Sequence, residues 1–176
     1  MAAWFVLAAT AGASEVAERR AYEAAIAGAT AEARLYDGWH TALLARATLL
    51  TPAVVAAQAA RIGHLTADVG APPAAAQGIG IVLSATSHWK EVLHIADDGS
   101  APWTVSLLVG DVRCSGPARV VELKKPSELD RTLYPHITDW DRVFKLTWPA
   151  EACGSQTPTA LRLQGSHGVA ELTWRR

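Results

Sequence analysis

The apolar positions of this chain change their period near residue 78. Ser14 to Ala29 has helical character, with Ser14 placed as N-cap, Glu15 and Glu18 in the first turn and strong helix formers after them. Its apolar face is thin, comprising Val16, Tyr22 and Ile26 among alanines, so it needs a larger body to pack on. Residues 39 to 50 fit two periods. Asp37-Gly38 lies between Arg34-Leu35-Tyr36 and Trp39-His40-Thr41, a type I′ hairpin signal. Leu43, Ala47 and Leu50 also fall at helical spacing, so the pattern alone leaves strand and helix open. A hairpin with a long second strand is preferred because Thr51-Pro52 looks like a fresh helix start, with threonine as cap and proline at the first helical position. The spacing then predicts a helix over 52–66 that buries Val55, Ala59 and Ile62.

Downstream the apolar residues come in short runs between Gly, Pro and Asp turns. Strands are predicted at 79–83, 88–95, 103–109, 118–123 and 142–148, the last with Phe144, Leu146 and Trp148 on one face. The strand at 88–95 is the weakest and ends at Asp97-Asp98-Gly99. Leu161 to Leu163 and Val169 to Trp174 close the chain as a hairpin across Gly165-Ser166-His167-Gly168. Short strands at regular spacing predict a mainly β fold: an antiparallel β-sandwich with an N-terminal helix and one inserted helix around residues 52–66. Pro126 to Asp141 is long for a connection, and long ordered loops on sandwiches are where binding sites often lie.

Composition sharpens the division. Of 35 alanines, 27 fall in residues 1–76, and five of the seven tryptophans fall after them. The predicted organisation is therefore one domain over 14–176, with an alanine-rich part (14–76) joined through Pro72-Pro73 and Gly78 to a strand-rich part (77–176). Half of the 176 residues are apolar, so extended disorder is excluded, and a chain of this length buries roughly 70% of its unfolded surface. Sixteen basic against 17 acidic residues give a net charge of −1, which supplies no field for a nucleic-acid backbone.

The N-terminus carries an address. Residues 2–13 hold no charge and are too few to span a bilayer, which takes about 20 apolar residues. They fit a signal-peptide core, with Ala11-Gly12-Ala13 as the small-x-small cleavage pattern, although no basic residue precedes Trp4. The competing reading is a helix that belongs to the fold. Ser14 would follow the cut, where a lipoprotein carries cysteine. The two cysteines, Cys114 and Cys153, form no CxxC pair, and in an exported chain they are expected to join as one disulfide.

Recognisable catalytic patterns are missing. His88 and His94 share parity on one candidate strand, but extended chain would separate them by about 20 Å. His136, Asp139 and Asp141 form a tighter group that still needs a ligand or partner from elsewhere; turn and cap roles explain the same residues. Gly165-Ser166-His167-Gly168 lacks the spacing of a nucleophile elbow and suits a tight turn. Asp97-Asp98-Gly99-Ser100 lacks the alternating acids of a calcium loop, and no phosphate-binding glycine motif occurs. No catalytic, cofactor or metal residue is therefore assigned.

The tryptophans remain. Trp103, Trp148 and Trp174 alternate with their neighbours as core residues do. Trp140, between Asp139 and Asp141, has no such setting, and with Tyr134 and His136 it is the candidate contact group. The expectation is a non-catalytic binding or structural protein of the bacterial cell envelope, periplasmic or extracellular, acting through protein contacts. A carbohydrate-binding sandwich is the alternative, and a hydrolase or metal-dependent enzyme comes third.

Overall fold

The structure, a computed structural model, describes residues 4–65, 78–88, 93–95, 103–114 and 119–174, without the side chains of 4–14, 64 and 65. Three helices and nine strands are present in these segments: α1 (Trp4–Ala29), β1 (Thr30–Asp37), β2 (His40–Leu49), α2 (Pro52–Leu65), β3 (Ile79–Thr86), β4 (Trp103–Val109), β5 (Val112–Arg113), β6 (Arg119–Leu123), α3 (Glu128–Leu133), β7 (Arg142–Trp148), β8 (Ala160–Gly165) and β9 (Gly168–Thr173). The strands form two antiparallel sheets, of order β1-β2-β3-β7-β6 and β5-β4-β8-β9. The fold is mainly β and sandwich-like, with an N-terminal helix and α2 inserted between β2 and β3.

Two buried clusters hold the layers. The larger lies between the sheets and takes Leu43, Ala45 and Ala47 from β2, Ile81 and Leu83 from β3, Phe144, Leu146 and Trp148 from β7, and Leu107, Leu161 and Leu172 from the smaller sheet. Alternation in β2 and β7 sends these residues inward, as the period-2 pattern requires. Small Ala45 and Ala47 leave room for large neighbours, and the Trp174 indole reaches across to donate to the Ala47 carbonyl at 3.1 Å. Trp103, Trp148 and Trp174 are all buried.

The second cluster lies on the opposite, outer face of the five-stranded sheet. Tyr22, Ile26 and Ala29 of α1, Val54 of α2, and Leu133, Tyr134 and Ile137 cover Val82 and Val143. Both predicted helices therefore have a function in packing: they roof one sheet. Thr51 caps α2, its Oγ1 accepting from the Val54 amide at 3.2 Å. The buried stripe of α2 centres on Val54, one position from the expected Val55, and Val16 of α1 is exposed.

Several expectations are corrected. The α1 helix passes through Ser14 and continues back to Trp4, so Ser14 is an interior residue and no cap; 4–13 are apolar or small and lack proline, which lets the helix continue. The β1–β2 hairpin forms, resolving residues 40–49 as strand, but its loop is Gly38-Trp39 with Asp37 paired to His40. Gly38 has φ 58° and no non-glycine residue among the described residues has positive φ, so the turn cannot be type I′. Glycine at the first central position is the type II′ requirement. Residues 89–92 lie outside the described residues, and 93–95 contribute only an isolated bridge, Ile95 to Trp103, in place of the expected strand. The long connection contains the short helix α3, capped reciprocally by Ser127 and Asp130. Cys114 and Cys153 are joined, tying the end of β5 to the segment after β7 and so one sheet to the other.

Candidate functional site

The helical roof does not cover the whole outer face. At the end of the sheet where β2 starts and β3 stops, it leaves a cleft of about 500 Å³ lined by His40, Thr41, Leu44, Thr86, Ser87, His88 and Trp140. Register explains the grouping. Leu44 faces Thr86 across β2 and β3 with the parity of the outer face, while His40 and Thr41 lie beyond the bulge in β2 and Ser87 and His88 directly follow β3. The imidazoles of His40 and His88 stack with centroids 5.9 Å apart and planes 19° from parallel.

Trp140 stands on the rim, 74% exposed. Its position is set by the two aspartates beside it. Asp141 accepts from the Thr86 hydroxyl through one carboxylate oxygen and from the Thr138 amide, at 2.8 Å, through the other. The Asp141 amide returns a bond to the Thr138 carbonyl at 3.3 Å. Asp139 pairs with Arg131 of α3 at 2.7 Å. Such an exposed ion pair adds little stability, but it fixes the turn from the other side. The Asp-Trp-Asp pattern thus reads as a brace that holds one aromatic ring outward.

The other two candidate contact residues lie elsewhere. Tyr134 is 6% exposed and belongs to the cluster under the helices, next to Leu133, whose carbonyl accepts from the Tyr22 hydroxyl. His136 packs edge-on to Tyr134 at 6.1 Å, and both of its ring nitrogens are buried without a hydrogen-bond partner among the described residues. Burial pushes the His136 imidazole down to about 4, helped by the Arg46 charge and opposed by Asp141. Asp139 therefore faces Arg131 and Asp141 braces the turn, while His136 lies half-buried against Tyr134, within reach of the Asp141 charge. Among the described residues no group of three or more His, Cys, Asp or Glu side chains is arranged to hold a metal ion.

Trp39, His40 and His88 escaped the sequence reading as site residues. Trp39 is fully exposed at the hairpin tip, and Tyr36, paired with Thr41, is exposed beside it. The available signal was the turn itself, because placing the loop at Gly38-Trp39 points the indole away from both sheets. No helix among the described residues is long and apolar enough to cross a membrane. No protein-family model, curated protein or solved structure matches this chain.

Proposed function

We propose that the protein is an exported, non-catalytic binding protein of the bacterial cell envelope, periplasmic or extracellular, whose contact surface is the end of the five-stranded sheet bearing Trp140. The observation that carries the reading is the braced, outward Trp140 at the rim of an open cleft. A large aromatic side chain left in water is a cost to solubility, and holding it rigid lowers the entropy lost when a partner covers it. The Cys114–Cys153 disulfide supports the address, since such bonds persist in oxidising compartments. The uncharged apolar run over 2–13 supports it as well.

The test replaces Tyr36 with p-benzoylphenylalanine in the native cell and irradiates. A discrete adduct that disappears when Trp140→Ala is added is the expected result. An adduct unaffected by Trp140→Ala, or none at all, overturns the reading.

A further inference from the structure

The edge of a sheet is a row of backbone groups in want of hydrogen bonds, and the edges of the two sheets differ in how they are treated. β1 and β9 lie against each other, with Leu35 closing on Gly168, so those two edges shield one another. The edge strand β5 has only two residues. β6 is longer, and it pairs with β7 alone. Among the described residues, the backbone of 119–123 makes no hydrogen bond outside that pairing. Alternate residues of an edge strand turn both N–H and C=O outward, so β6 offers such groups at roughly two or three of its positions.

The side chains of β6 suit an extended partner. Arg119-Val120-Val121-Glu122-Leu123 has three strand-forming apolar residues and no proline or glycine. Val120 packs into the core between the sheets. Glu122 on the same face is held by two hydrogen bonds from Arg142, at 2.8 and 2.7 Å, so its charge is answered from within the chain. Val121 stands on the opposite face beside Lys145 and is 44% exposed. Cations stand at both ends: Arg119 at the start, and Lys124 and Lys125 just past Leu123, all exposed. None of these three side chains enters an ion pair among the described residues.

Those charges decide the occupant. Two β6 strands pairing antiparallel about Val121 would set Arg119 of one copy opposite Leu123 of the other and next to its Lys124, and a parallel pair would stack like on like. End lysines of this kind guard an edge against its own copies. A strand bearing carboxylates meets the same cations as partners, and the one carboxylate of β6 is already bound by Arg142. We propose that β6 is a docking edge for an extended acidic segment of a partner protein, added as a further strand of the larger sheet. The segment carries an apolar residue beside Val121 and acids near its two ends, about 17–20 Å apart, the span of extended chain from Arg119 to Lys124 and Lys125. This surface is distinct from the Trp140 rim and does not depend on it.

The test titrates the intact, oxidised protein with three labelled peptides: EEVTVTEE, KKVTVTKK, and EEVTVTEE N-methylated at every backbone amide, which keeps the charge and abolishes strand pairing. Binding is followed by fluorescence anisotropy and by amide hydrogen exchange. EEVTVTEE should bind saturably and slow exchange within 119–123, and the other two should do neither. Lys124→Glu with Lys125→Glu should weaken that binding about tenfold, with thermal unfolding unchanged because both side chains lie in water. Absence of saturable binding by EEVTVTEE overturns the inference, as does equal binding of the N-methylated form, indifference to the double variant, or protection confined to amides outside 119–123. A dimer of the protein alone with those amides protected would give the edge to a second copy and overturn it too.

Discussion

His136 makes the most quantitative prediction. Its imidazole packs beside Tyr134 with both ring nitrogens buried and the Arg46 charge nearby, and is held down to about 4 from an ordinary 6.5. The unfolded chain therefore binds one more proton than the folded one between those values. Stability is undiminished above pH 6.5, falls as pH drops through that window, and stops changing on this account below pH 4. Between pH 7.5 and pH 4.5 the loss is about 2.5 kcal/mol, a large share of the stability of an ordinary domain. The assay is urea unfolding at both pH values for the native chain and for His136→Gln, which keeps a polar side chain but cannot charge. The native chain should lose about 2.5 kcal/mol more than the variant. The Glu32 carboxylate, held below its ordinary value first by its hydrogen bond to Arg46, is common to both proteins, so its contribution cancels in the comparison. Equal losses in the two proteins would refute the placement of His136.

Replacing both Cys114 and Cys153 by serine frees a loop with a sequence separation of 39 and should cost about 4 kcal/mol by denaturant unfolding, and reductant should do the same to the native chain. Gly78→Ala should destabilise by about 2 kcal/mol or more in the same assay, because a Cβ there would lie 2.3 Å from the Trp148 carbonyl oxygen. Trp148→Ala, deep between the sheets, should cost about 3–5 kcal/mol by thermal unfolding. Asp141→Ala should loosen the Trp140 turn, seen as lower fluorescence anisotropy of a chain whose exposed Trp39 has been replaced by serine.

The parts of the fold legible in the sequence are those where local pattern and tertiary environment agree. β4 and β7 fall at the bounds their alternation predicts, and the β8–β9 turn sits at Gly165 and Gly168. In the β1–β2 hairpin the Asp-Gly pair marked the turn, but a register irregularity between Leu35 and Tyr36 shifts the loop by one residue. That shift decides which side chain occupies the tip. Ser127 and Asp130 carried a capping signal for α3 that was hidden by the flanking Pro126 and Pro135, which read as loop.

The site was legible only where the chain itself decides exposure. Two flanking aspartates keep Trp140 outward, whereas the burial of Tyr134 depends on Tyr22 and Leu133, brought together from 111 residues apart. The cleft was not legible, because it exists where the roof formed by α1, α2 and the Leu133–Ile137 segment ends, and no single segment encodes that boundary. His40 and His88 meet through the β2–β3 register across the whole of α2.

The most direct test of the binding function is cosedimentation of the purified, oxidised protein with envelopes isolated from its native cell. The native chain should pellet saturably, and Trp140→Ala should require about tenfold more envelope material for the same bound fraction, about 1.4 kcal/mol of lost contact. Equal sedimentation of the two proteins, or none of either, would contradict the assignment of this surface as the one that binds.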